Sequence, residues 1–212
     1  MARYVVPARM TRIENVVVNS RFIATLAPVF SVDEARAFIS RVRTEFSDAT
    51  HNVPAYLIGY GNSVIEHCSD DGEPAGTAGR PALAVLKGSG MGDVGVVVTR
   101  HFGGTKLGTG GLVRAYTDAV RTVVNTAPRA ERIPTCTVMV ALPYRWLERL
   151  RRLVEAHSGR VLEEEFAEEI TLIARFPVEH YEAFSAAVQQ GSNNTLQTIV
   201  VDTQEELVPI TR

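Results

Sequence analysis

Two spacings of apolar residues recur along the chain, one of two and one of about 3.6, and they divide it into strands and helices. Ile13 to Val18 and Arg21 to Val29 read as strands. Ser31 then caps a helix with Glu34 three positions on, a capping box, and Ala35, Phe38, Ile39, Val42 and Phe46 fall on its buried face. Ala55 to Tyr60 and Val64 to Cys68 predict a hairpin, Val94 to Thr99 a short β-branched strand buried on both faces, and Leu112 to Ala127 an amphipathic helix. Ala127-Pro128-Arg129-Ala130 reads as a linker. Beyond it, Thr135 to Leu142 alternates as a strand, and Tyr144 to His157 is helical until Ser158-Gly159 stops it. Arg160 to Phe166 and Glu169 to Phe176 are strands around an acidic tip, Val178 to Gln190 is a helix, and Leu196 to Leu207 alternates again. The order β-α-β-β-α-β predicts a ferredoxin-like domain, two helices on one face of a four-stranded antiparallel sheet.

The fold class is therefore α+β. A length of 212 residues suits two domains, each large enough for its own core, and the pattern places them at 1–127 and 132–212. With 45% apolar and 22% charged residues the composition is that of a globular chain. No apolar run approaches the roughly 18 residues of a membrane span, and Met1 to Ser20 lacks a signal-peptide pattern, so a cytoplasmic protein with no membrane partner is expected. Cys68 and Cys136 lie in different halves without metal-ligand spacing, as reduced thiols would. Residues 1–129 carry 14 Lys and Arg against 11 Asp and Glu, a net +3; the remainder carries 8 against 13, a net −5. Neither balance is the strongly basic footprint of a dedicated nucleic-acid binder, and no DNA sequence recognition is expected.

Candidate chemistry lies in three segments between the elements. Ala49-Thr50-His51-Asn52 enters a strand, and His51 is either a base or ligand without a paired nucleophile, or a hydrogen-bonded structural residue. Ser69 to Gly79 holds Asp70, Asp71, Glu73 and Thr77 among three glycines. Carboxylates this close call for a cation, an arginine clamp or backbone N–H groups, or else they hold the shape of a rigid turn. The spacing misses that of a calcium loop. Arg100 to Arg114 leaves the buried strand, passes Phe102, Gly103, Gly104, Lys106, Gly108, Gly110 and Gly111, and enters a helix. A flexible backbone, a helix N-terminus and three cations suit an anion such as phosphate, while close packing of glycines is the structural alternative. The segment is neither a Walker A loop nor a dinucleotide fingerprint.

The segments ATHN, SDDGEPAGTAGRP and VVVTRHFGGTKLGTGGLVRAY resemble the signatures of the YigZ/IMPACT family, over about residues 16 to 126, and the second half is similar in pattern to the ferredoxin-like domain of its bacterial members. Val53 stands where Cys would follow His-Asn, which argues against a thiol nucleophile there, and His101 where Tyr is usual. The resemblance implies an N-terminal domain like the second domain of a small-subunit ribosomal protein and a C-terminal one like domains of the translocating elongation factor. Eukaryotic members are similar in the first domain and regulate translation by binding a scaffold that activates an amino-acid-starvation kinase. Small-molecule kinases share that N-terminal fold, but the upstream Pro and the Ser pair of their loop are missing from Leu107 to Gly111.

The sequence thus predicts a non-enzymatic binding protein without cofactor or metal, whose partner is the ribosome, RNA or a translation-control protein. The binding residues are His51, Asn52, Asp70, Asp71, Glu73, Thr77, Arg100, Phe102, Gly103, Gly104, Lys106, Gly108, Gly110, Gly111 and Arg114. Asp71 and Glu73 are expected to pair with Arg100 or Arg114, and Lys106 and Arg114 to meet the anion. The alternative is an enzyme or a binder of a small phosphate ligand that uses the same loops. Base stacking on the ferredoxin-like sheet would need aromatics on its central strands, where Phe166 and Phe176 are the candidates.

Overall fold

The computed structural model describes residues 3–61 and 63–210. They form two compact units: Tyr4–Glu131 with residues 207–210, and Arg132–Glu206 with Arg3. The elements of the first are strands Tyr4–Pro7 (β1), Thr11–Val17 (β2) and Ser20–Pro28 (β3), helix Val32–Glu45 (α1), strands His51–Ile58 (β4) and Ile65–Cys68 (β5), helix Gly79–Gly88 (α2), strand Val94–His101 (β6) and helix Gly108–Thr126 (α3). The sheet runs β2-β3-β6-β4-β5 with every neighbouring pair antiparallel. Helices cover both of its faces. Val94, Val96 and Val98 of β6 enter the core shared with α2 and α3, and Val97 enters the smaller core under α1. This two-sided burial is why β6 reads as a continuous apolar run rather than an alternating one.

The Ser31 hydroxyl accepts from the Glu34 N–H at 3.1 Å, as the capping box predicts, but the Glu34 carboxylate returns to the N–H of Phe30 at 2.9 Å rather than to that of Ser31. Two elements escape the pattern, α2 and β1. The ten residues of α2 follow a Gly-rich turn and have no local side-chain cap, and β1 is a short segment in which Val5 bridges to Met91, far along the chain. Arg129 and Ala130, read as linker, open a strand instead.

That strand is Arg129–Leu142 (β7), followed by a 3-10 turn at Tyr144–Trp146, helix Leu147–Ala156 (α4), strands Arg160–Phe166 (β8) and Ile170–Pro177 (β9), helix Val178–Gly191 (α5) and strand Ile199–Pro209 (β10). Strands β10, β7, β9 and β8 lie side by side in that order within a five-stranded sheet and, with two helices, make the ferredoxin-like arrangement, so the chain is α+β as its pattern predicts. Ile170, Leu172, Ala174 and Phe176 of β9 face the core with Leu150 and Phe184, and the Phe176 and Phe184 rings lie 4.2 Å apart. The other face carries Thr171, Ile173 and Arg175, paired with Ala141, Met139 and Thr137 of β7. A base-stacking platform there lacks its rings: Phe176 is core, and Phe166 sits exposed beside Tyr144, 6.3 Å between ring centres. No helix among the described residues is long and apolar enough to cross a membrane.

Candidate functional site

The three segments meet at one end of the first unit's sheet. Arg100 is the next-to-last residue of central strand β6, directly across from Phe22 of β3 and His51 of β4. Residues opposite one another share a face, and here it is the α2/α3 face, since Phe22 belongs to that core. The guanidinium lies 5.4 Å from the centre of the Phe22 ring and 5.5 Å from that of Phe102. The opposite face at the same level carries Asn52 and Thr99. The Thr99 hydroxyl donates to the Asn52 carbonyl oxygen at 2.7 Å, and the Asn52 amide donates to the Phe46 carbonyl at 3.2 Å, which ties the end of α1 to the sheet.

The acidic loop gives each carboxylate an internal duty. Asp70 accepts from the backbone N–H groups of Gly76, Ala78 and Gly79 at 2.8, 3.1 and 2.8 Å, and so supplies the start of α2 with the cap its own sequence lacks. Burial raises the Asp70 carboxyl, but the three N–H donors outweigh it and hold the group below the ordinary aspartate value. Asp71, with φ at 47°, accepts from Arg43 at 2.6 Å and from the Asn52 N–H at 2.7 Å. The latter donor lies on the outer side of β4, beyond the end of its pairing with β5. Glu73 has a side chain only 3% exposed, and it accepts from Arg100 at 2.7 Å and from the Tyr116 hydroxyl at 2.8 Å. Burial and the charge of Glu73 push the Tyr116 phenol far up, so it remains a donor. The His51 Nδ1 sits 2.7 Å from the Asp71 carbonyl, and its Nε2 3.9 Å from Glu73. Buried Thr77 donates to the Pro74 carbonyl at 2.7 Å and closes the turn.

The Gly-rich segment is arranged differently. Thr50 accepts the Phe102 N–H at 3.1 Å and Ser20 accepts the Gly103 N–H at 3.2 Å, anchoring the loop's root. Gly103 is pressed so closely on the β2–β3 turn that a Cβ would stand 2.1 Å from the Asn19 carbonyl oxygen. Past this root the chain turns out through Gly104 and Gly108, both at positive φ, and enters α3, whose first turn (with Gly110 and Gly111) has no side-chain cap. Phe102 is 46% exposed. Lys106 and Arg114 are exposed, with no ion pair or hydrogen bond among the described residues.

Glu73 therefore pairs with Arg100 as expected, but Asp71 pairs with Arg43 and neither acid reaches Arg114. Arg114 lies on the outer surface of α3, which points its charge to solvent. Sequence reasoning missed Arg43, Ser20 and Tyr116. Only Tyr116 carried a signal, a phenol in the apolar stripe of α3 that needs a buried acceptor. No cluster of three or more metal-ligating side chains is found among the described residues. Val53 is buried in the core, and Cys68 and Cys136 are free, each thiol pushed up by burial.

Residues 18–124 match the Impact N-terminal domain, and residues 140–195 match a domain of unknown function, DUF1949. The chain is 34% identical over 203 residues to the IMPACT family member YigZ of Escherichia coli K12, covering 95% of this chain and 100% of that protein. It is 37% identical over 180 residues to the IMPACT family member YvyE of Bacillus subtilis, covering 85% and 82%. Protein IMPACT of Homo sapiens shares 36% identity over 94 residues, 42% of this chain and 29% of the human one. A crystal structure described only as that of a hypothetical protein superposes with a TM-score of 0.65 at 34% identity, covering 95% of this chain and 98% of the other. With a two-domain match of this extent, and with the three quoted segments converging on one end of the sheet, the chain belongs to the IMPACT family.

Proposed function

We propose that this IMPACT-family protein is a non-enzymatic binding protein of the translation apparatus. In this reading residues 1–127 contact RNA, as part of the ribosome or free, through the Gly-rich loop, and residues 132–212 serve as a platform for a translation-control protein. One observation carries it: every carboxylate of the acidic loop has an internal partner, while Lys106, Arg114 and the uncapped first turn of α3 face outward without one, on the same segment as the exposed Phe102 ring. Cations bind phosphate, an exposed ring stacks on a base, and free helix N–H groups donate to an anion. The regulatory role of eukaryotic relatives in translation agrees with such a partner.

The enzymatic alternative has less support, because His51, Asp70, Asp71 and Glu73 are all engaged in holding the loops together. A small phosphate ligand on the first turn of α3 is the second reading, favoured by the absence of a cap there. Co-sedimentation of the full chain with ribosomes and with single-stranded RNA at low and high salt tests both. Binding is expected to fall steeply with salt, with a log–log slope of about −0.7 for each phosphate neutralised. Arg114→Glu is expected to remove most of it while the melting temperature stays the same. RNA binding unchanged in a folded Arg114→Glu protein overturns the proposal, and displacement of RNA by millimolar inorganic phosphate at constant ionic strength would favour the small-ligand reading.

A further inference from the structure

The first unit has a second open feature, on the outside of its two adjacent helices. Both α2 and α3 bury one stripe against the sheet, Ala82 and Leu86 from one and Ala115, Tyr116, Ala119 and Val123 from the other. The stripes that flank the seam between them are covered by nothing in the unit, and they line a groove of about 850 Å³. Of the three segments described above it takes in only Gly76, Arg80, Pro81 and Val113. Its α2 side follows helical spacing through Arg80, Pro81, Ala84, Val85, Gly88 and Ser89, so the middle of that wall is small or apolar. Its α3 side repeats the pattern with Val113, Thr117, Arg121 and Val124, and Arg129 closes one end.

The charge in the groove has a single sign. Three guanidinium groups line it, from Arg80, Arg121 and Arg129, and no carboxylate does. Arg121 has a surface partner in Asp118, three residues before it, at 3.0 Å, and both side chains are more than half exposed, so this pair is weak. Arg129 keeps its buried Nε without a hydrogen-bond partner. A lining of small and apolar residues from two adjacent helices, with three arginines and no carboxylate, matches an amphipathic helix with acidic flanks. Nucleic acid fits less well: it would set phosphates on Pro81, Val85, Val113 and Val124, where there is no aromatic ring to stack upon. From Val113 to Asn125 the α3 wall covers thirteen residues, room for about three turns of a docked helix at 1.5 Å per residue.

The geometry points to a docking site for an acidic amphipathic helix of a partner protein in the α2/α3 groove, separate from the Gly-rich loop. The test uses the full chain and a fluorescent synthetic peptide of about 15 residues, four helical turns, with leucines at i, i+4, i+7 and i+11 between glutamates. A second peptide has every glutamate replaced by lysine. The acidic peptide is expected to bind and the basic one not. Arg80→Gln with Arg121→Gln should weaken binding about fivefold to tenfold, the loss of two exposed charge contacts. Ala84→Trp, a change at an exposed position that fills the groove, should abolish it, and both variants should melt like the parent. No binding of the acidic peptide, equal binding of both peptides, or binding indifferent to these variants overturns the assignment, as does displacement of the peptide by a short RNA. Since Arg114→Glu leaves the groove intact, it should lose RNA and keep the peptide, so failure of one site is distinguishable from failure of the other.

Discussion

The acidic loop and the Gly-rich loop are similar in length and glycine content, and each carries three charges of one sign; they differ in what satisfies those charges. Asp70 meets three backbone N–H groups, Asp71 meets Arg43 and the edge of β4, and Glu73 meets Arg100 and Tyr116. In the Gly-rich loop Arg100 alone turns inward, and Lys106 and Arg114 stay in solvent. A charged cluster in a sequence therefore does not mark a binding surface by its density. Internal partners make the acidic loop a brace, and the lack of ion pairs at Lys106 and Arg114 is what the proposed ligand surface on the Gly-rich loop rests on.

The sharpest way to break this comparison is at Glu73. Glu73→Ala leaves the Arg100 guanidinium, 6% exposed, without its carboxylate. Removing one partner of a buried pair costs about 3 to 5 kcal/mol, because the remaining charge stays desolvated. A urea melt of the variant should give an unfolding free energy lower by that amount. A shift below about 1 kcal/mol, the range of an exposed pair, would mean that Glu73 is not a brace and is open to a ligand role.

Asp70→Asn comes next. Losing the charge on a group that accepts three N–H bonds is expected to cost about 2 kcal/mol at pH 7. The pH dependence adds a sign. The folded carboxyl is held below its ordinary value of 3.8, so its contribution is complete above that value and fades as pH falls through the lower, folded one. The difference in melting temperature between parent and variant should thus be constant from pH 7 to about pH 5 and shrink below pH 3.8. A constant difference down to pH 2 would show that the carboxylate charge is not what holds the start of α2.

The distinction between brace and surface was only partly legible in the sequence. Strand β2 announces itself by alternation, β3, β4 and β6 by runs buried on both faces, and helices α1 and α3 by a buried stripe; the alternation in β9 and the helical spacing in α4 and α5 do the same for the ferredoxin-like unit. Helix α2 stayed hidden because its cap is Asp70, nine residues ahead of Gly79 and joined to it only through the fold of the loop. The Glu73–Arg100 pair could be anticipated, since both lie in motifs dense in opposite charge. The Asp71–Arg43 pair could not: Arg43 is one of three arginines in α1, and nothing local tells which one reaches across 28 positions. The choice between Arg100 and Arg114 as the partner of Glu73 could not be made for the same reason, because helical spacing gives the side of α3 on which Arg114 lies but not what stands opposite.

The smallest expected effect separates two functions within the Gly-rich loop itself. Gly103 has no room for a side chain, whereas Gly110 lies in the first turn of α3 and a Cβ there would meet nothing within 4 Å. Gly110→Ala should therefore stabilise the protein by about 0.5 to 1 kcal/mol, since alanine loses less backbone entropy in a helix. If phosphate seats on the first-turn N–H groups, the added methyl stands beside them, and RNA affinity should fall even as the melting temperature rises. A rise in both stability and affinity, or a rise in stability with affinity unchanged, would move the ligand off the helix terminus and leave Lys106, Arg114 and Phe102 as the contact. Calorimetric melting and RNA co-sedimentation on this one variant thus distinguish a site built on backbone N–H groups from one built on side chains.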